Sequence, residues 1–224
     1  MAMALAPPPG GELSVAEMCQ ICAVEMIAFG AGIFLVASDQ SPLEAYGSNA
    51  EVQELEEWQY AQGAGPGAEA HHDGFPFSEQ DLESNSTTRW IGFPTRALEL
   101  GVRAVYSFPL RVGAARLGAM TLYYESVGPL DEDIYGDALV LATVLTISLL
   151  SNTADFAEEA LLAGPIRGGE FQAQVHQASG MISVQLGISV GEALVRLRAH
   201  AFAEGVSVSL MAAEVLARRL RFDP

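Results

Sequence analysis

FQAQVHQASGMISVQLGISVGEALVRLRAHAFAEGVSVSLMAAEVLARRLRFDP, residues 171–224, is the most strongly patterned stretch of this 224-residue chain. Val175, Ala178, Ile182 and Leu186 recur near helical spacing, and Gly187 then offers the left-handed conformation that stops a helix. Ser189, with Glu192 three residues on, has the form of a capping box. It predicts a second helix with Val190, Ala193, Leu194, Leu197 and Ala201 on one face, ending at Gly205. A third helix, capped by Ser207, carries Val208, Met211, Ala212, Val215 and Leu216 at spacings of three and four. Arg218, Arg219 and Arg221 are expected in its last turn, where cations suit the helix dipole.

The wording of these helices, QASGMISVQLGISVGEALVRLRAHAF and then VSLMAAEVLARRLRF, resembles the ANTAR family of bacterial transcription antiterminators. Ala178 and Gly180 stand where that family has its alanine and glycine, Ala193, Leu197 and Arg198 match "EA...LR", and Ala213 and Val215 sit near "VA". The resemblance implies a three-helix bundle over 169–224 that binds paired RNA stem-loops in nascent transcripts and so prevents a terminator from forming. Many relatives have a lysine between the alanine and the glycine; here that position is Ser179. Ala178, Gly180, Ala193 and Ala213 are small residues that let helices approach closely. The RNA-contact candidates are Ser179 at the lysine position together with His176, Arg196, Arg198, His200, Arg218, Arg219 and Arg221, because guanidinium groups neutralise phosphate and stack on loop bases. The plain alternative for any one arginine is a solubilising charge on a solvated helix face.

Charge separates this tail from the rest. The chain has 11 arginines, no lysine and 28 acids, for a net charge of −17. Five arginines and 23 acids precede Pro165, a balance of −18, whereas six arginines and five acids follow from there, a balance of +1. Near-neutrality is a poor footprint for duplex DNA. Loop-directed RNA recognition also draws on shape, stacking and base edges.

Outward from the tail, length and 50% apolar composition allow one full core of about 100–150 residues plus a small satellite bundle. Residues 1–12 are expected to be disordered and lack the positive region of a signal peptide. A helix is predicted from Ser14 to Gly30, a buried strand from Ala31, and a helical or mixed segment from Glu51 to Gln62. Gly63 to Gly74 reads as a long surface loop holding exposed His71 and His72. Ala104–Leu110 and Arg116–Tyr124 read as an antiparallel hairpin turning around Gly113. A long helix follows Gly128-Pro129, with Asp131, Glu132 and Asp133 in its first turn, and continues to about Leu162. Its apolar run, Ala138–Leu150, is short of the roughly 18 residues of a membrane span, which points to a buried or interfacial helix, no membrane partner and a cytoplasmic address. The all-round apolarity also predicts a homodimer.

This order, with AGIFLVASD, LEEWQYAQGAGPGAEA, AVYSFPLRVGAARLGAMTLYYE and LDEDIYGDALVLATVL, resembles a GAF domain over roughly Leu13–Leu150. The resemblance implies an α+β chain: a small-molecule sensor with an antiparallel sheet flanked by helices over 13–150, a helical linker over 151–168, and the bundle after it. It further implies an effector of unknown identity and terminal helices that pair in dimers. Relatives often carry a cysteine after GPG-like residues; Gly67 occupies that point, which speaks against thiol chemistry there.

Phe34, Tyr46, Tyr60, Trp90, Phe93, Tyr106, Phe108 and Tyr123 are candidates for a pocket lining, although aromatic residues on sheets mostly fill cores. Cys19 and Cys22 have redox or zinc spacing, but no second ligand pair completes a tetrahedral site, so a buried thiol pair is expected. Glu54, Glu56, Glu57 and Asp131 to Asp133 read as solvated acids. The absence of lysine removes phosphate-loop and Schiff-base chemistry, and no GxSxG or HExxH motif is present. No enzyme and no cofactor is therefore expected. Two functions remain: a signal-responsive RNA-binding antiterminator, or a dimeric sensor and protein-interaction module whose bundle does not bind RNA.

Overall fold

Ser14 opens the first helix with a reciprocal cap, its hydroxyl accepting from the Glu17 amide while the Glu17 carboxylate accepts from the Ser14 amide. The computed structural model describes residues 13–36, 42–84, 90, 92–113, 115–151, 169–204, 206 and 208–223. The chain divides into two units, Met1–Leu161 and Leu162–Pro224. The expected disordered segment 1–12 and all of the expected linker beyond Ser151 lie outside the described residues.

The first unit runs α1 (Val15–Glu25), β1 (Gly30–Val36), β2 (Pro42–Gly47), α2 (Ala50–Gln62), α3 (Pro66–Asp73), β3 (Phe77–Glu79), α4 (Phe93–Glu99), β4 (Ala104–Val112), β5 (Ala115–Tyr124) and α5 (Glu132–Ser151). Its strands form one antiparallel sheet in the order β2-β1-β5-β4-β3. Alternation along the strands divides the core. Ile33, Tyr106, Phe108, Leu110, Met120 and Leu122 join α1 and α5 on one face. Phe34, Val105 and Tyr123 meet α2, α3 and α4 on the other. The aromatic candidates are thus shared between both faces as core.

Several expectations are corrected. The predicted loop 63–74 contains α3: Gly63 and Gly65 end one helix and precede the next, Pro66 fits the first turn, and His71 is buried rather than exposed. The edge strands β2 and β3 and the seven-residue α4 were not legible, being short and weakly patterned. The Ala138–Leu150 run belongs to a 20-residue helix, α5, which is long and apolar enough to cross a membrane. Ala138, Leu141, Ala142, Leu145 and Leu149 nonetheless pack on the core.

In the second unit, α6 (Gly169–Leu186), α7 (Val190–Glu204) and α8 (Val208–Leu216) each pack against the other two. Val175, Ala178, Ile182, Ala193, Leu197, Ala201, Val208, Ala212 and Val215 are buried between them, as the spacing predicts. Gly187 is left-handed with φ 65°, and the Ser189–Glu192 capping box forms with the Ser189 amide 3.0 Å from the carboxylate. The predicted Ser207 cap lies outside the described residues. Arg218, Arg219 and Arg221 are not in the last turn of α8: the helix ends at Leu216 and Arg218 turns left-handed at φ 59°.

Candidate functional site

A band of polar side chains crosses the otherwise apolar interface between the sheet and helices α2 and α3. Helical spacing on α2 places Val52, Leu55, Glu56 and Gln59 on the buried side, so Glu56 and Gln59 are carried into the core by the apolar residues beside them. β4 and β5 add Ser107, Thr121 and Tyr123, and α3 adds Gly67 and His71. Ser107 and Thr121 are cross-strand partners whose hydroxyl oxygens lie 2.9 Å apart.

The direction of this network follows from one backbone group. The Gly67 amide can only donate, and it donates to Gln59 Oε1 at 2.8 Å. Gln59 Nε2 therefore donates to the Tyr123 hydroxyl at 3.0 Å, and Tyr123 donates to Glu56 Oε1 at 2.7 Å. Glu56 Oε2 has no hydrogen-bond partner among the described residues. Gly32 makes room for this carboxyl, because a Cβ there would stand 2.0 Å from Oε1. Burial pushes the Glu56 pKa up to about 8, against the weaker lowering effect of the Tyr123 hydrogen bond. At neutral pH the group is chiefly an uncharged acid.

The structure corrects the reading of Glu56 as a solvated acid. Glu54 does reach solvent, where it pairs with Arg96 at 2.5 Å. The signal for Glu56 was its place in the Val52–Leu55–Gln59–Tyr60 stripe, which composition alone obscured. Gly67, at the relatives' cysteine position, is tightly held, since a Cβ would meet Thr121 Oγ1 at 3.1 Å and Gln59 Oε1 at 3.3 Å. Cys19 and Cys22 are both buried free thiols; burial raises the pKa of each, that of Cys22 to about 12. They are placed for packing rather than nucleophilic chemistry.

The RNA-contact candidates are distributed unevenly over the second unit. Arg196, Arg218 and Arg221 are exposed and form no ion pair among the described residues. Arg198 is half-buried on α7 close to His176 on α6, whose imidazole pKa is lowered by desolvation and then by the Arg198 charge. Arg219 is held by Glu214, with Nη2 and Oε1 2.7 Å apart and Nε and Oε2 2.8 Å apart. His200 packs edge-on against Phe222 at 5.2 Å, and the Phe222 amide donates to Gln185 Oε1. Ser179 must be corrected as a contact residue. It is fully buried, and its hydroxyl donates to the Val175 carbonyl at 2.8 Å on its own helix.

No protein-family model matches the chain, and no curated protein matches it. Among solved structures, it is similar to the GAF domain of an Acinetobacter phosphoenolpyruvate-protein phosphotransferase, with TM-score 0.50 and 11% identity over 64% of this chain and 84% of that one. It is also similar to the GAF domain of a Coxiella burnetii phosphoenolpyruvate-protein phosphotransferase, with TM-score 0.48 and 15% identity over 70% of this chain and 91% of that one. The five-stranded antiparallel sheet with its flanking helices is GAF-like. None of the comparisons shows an ANTAR domain.

Proposed function

We propose that the chain is a signal-responsive, RNA-binding transcription regulator in which the GAF-like unit senses a small-molecule effector and the three C-terminal helices engage RNA stem-loops as an antiterminator. The observation that carries the RNA reading is the placement of charge on the second unit. Arg196, Arg218 and Arg221 are exposed, and Arg198 adjoins His176 across two helices, while the core between them is apolar. Guanidinium groups so placed suit phosphate and splayed-out bases. The GAF-like fold and the buried polar band support sensing.

The functional unit is a homodimer formed through α5. Leu139, Val140, Ile147 and Leu150 are exposed along that helix, and no charged residue occurs from Ala138 to Ser151. In a chain of net charge −17, an uncharged apolar face is where two copies can meet without repulsion. Dimerisation also suits a paired stem-loop by raising avidity.

A gel-shift with a dual stem-loop RNA tests the reading. Wild type is expected to bind, and Arg196→Ala combined with Arg198→Ala to abolish binding while circular dichroism stays unchanged. Absence of wild-type binding even at low salt overturns RNA recognition in favour of a protein-interaction module. The exposed Val184 and Val195 of the second unit favour that second reading.

A further inference from the structure

Two arginines of the first unit stand apart from its other described cations. Arg96 is paired with Glu54 and Glu99, and Arg103 with Glu83. Arg111 and Arg116 form no ion pair among the described residues, although 23 acids precede Pro165. They are direct cross-strand partners near the tip of the β4–β5 hairpin, and the register shifts between Leu110 and Arg111. Opposed residues of an antiparallel pair project to one face, and like charges placed so are unfavourable unless something offsets them.

Both guanidiniums converge on the end of α3. Arg111 Nη1 donates to the Gly74 carbonyl at 3.0 Å, and Arg116 Nη1 donates to the His72 carbonyl at 2.6 Å and the His71 carbonyl at 3.4 Å. A Cβ on Gly74 would stand 3.0 Å from Arg111 Nη1 and 3.4 Å from Arg116 Nη2. The negative end of the α3 dipole offsets part of this charge. The carbonyls engage one nitrogen of each guanidinium, out of the five N–H groups that each carries. His71 is 6% exposed; its ring lies against the Gly118 backbone and beside Arg116, and among the described residues neither ring nitrogen makes a hydrogen bond of normal geometry. His72 is exposed, with Nδ1 2.9 Å from the Asp73 carboxylate.

We propose that Arg111, Arg116 and His71 form a binding site for the compact anionic group, phosphate or carboxylate, of a small-molecule effector. Paired guanidinium forks match the planar or tetrahedral oxygens of such a group, and the His71 imidazole lies close enough to Arg116 to feel its charge. Desolvation holds the His71 imidazole below its ordinary pKa, against the raising contact with the Gly118 backbone and with the charge of Arg116 adding to the lowering, so a bound anion raises it again. The site gives chemistry to the effector of the sensing reading and rests on that reading for its role, but binding itself is measured separately.

The test is a titration of the full-length wild-type chain with inorganic phosphate, followed by NMR of the four histidine side chains, against sodium chloride of equal ionic strength. His71 and His72 resonances are expected to shift saturably while His176 and His200 stay in place. The proposal is overturned if none moves beyond the chloride control or if all four move alike. Arg111→Gln with Arg116→Gln is expected to weaken phosphate binding at least about tenfold. Unchanged affinity in that variant also overturns the site. Should the variant lose its fold, Arg111→Lys with Arg116→Lys keeps the charges without the forks and is expected to bind more weakly than wild type; equal binding counts against the proposal. A parallel titration with succinate tells a carboxylate effector from a phosphate one by the tighter response. Anion binding that leaves RNA affinity unchanged keeps the site and refutes its coupling to RNA; no anion binding refutes the site and leaves the sensing reading standing.

Discussion

The Tyr123 hydroxyl donates to the wholly buried Glu56 carboxyl at 2.7 Å, and it is oriented to do so by Gln59, whose own amide is set by the backbone of Gly67. Four residues from two helices and a strand thus share one hydrogen-bond polarity. Their protonation state bears on the stability of the fold.

Glu56 keeps its proton in the fold up to about pH 8, whereas its ordinary pKa is 4.5. Between those values the unfolded chain releases the proton and the folded chain retains it. The stabilisation from the neutral acid is therefore complete below about pH 4.5 and is lost as pH rises toward 8, with a limiting slope of about 1.4 kcal/mol per pH unit. Urea denaturation from pH 5 to 8 is expected to show falling stability in wild type and a flatter profile in Glu56→Gln. Parallel profiles would show that Glu56 does not titrate in this range.

Tyr123→Phe removes the central hydroxyl and leaves Gln59 Nε2 and Glu56 Oε1 without their shared partner. A loss of about 1–3 kcal/mol is expected in chemical denaturation. Loss of only a few tenths would mean that water enters the band freely.

Ser179→Ala should change RNA affinity less than about twofold, which is within about 0.4 kcal/mol, because the hydroxyl is buried and bonded to Val175. A larger loss in a gel-shift, with the helices intact by circular dichroism, would place Ser179 at the RNA after all.

RNA affinity is expected to fall with salt, with a slope of log affinity against log salt of about −3 for about four phosphate contacts. Arg196→Ala should reduce that slope by about one. Arg219→Ala should reduce it less, since Glu214 already neutralises that side chain. Equal effects from the two variants would argue against a defined contact surface on α7.

Val140→Glu with Ile147→Glu places two charges on the exposed face of α5 without touching its packed face. Sedimentation is expected to show a wild-type dimer and a monomeric variant. A monomeric wild type at micromolar concentration would remove the avidity contribution to RNA binding.

Legibility followed pattern length. The β4–β5 hairpin was readable because two long β-branched and aromatic runs flank a glycine turn, and α6, α7 and α8 because apolar residues recur over whole turns. β3, at three residues, and α4, at seven, are too short to show a period. Glu56 and His71 were misread because an acid and a histidine look solvated in composition, and only their neighbours on α2 and α3 turn them inward.

The linear order of residues by itself determined where the long capped helices and the β4–β5 hairpin form and how charge divides between the two ends of the chain, since spacing, caps and charge are local properties. Tertiary structure alone decided that Glu56 meets Tyr123, that Ser179 is hidden, and that Arg111 and Arg116 converge on the end of α3. Those relationships join residues as many as 67 positions apart. Burial, which sets whether a polar group is charged, partnered or available, is a property of the packed assembly and not of any segment.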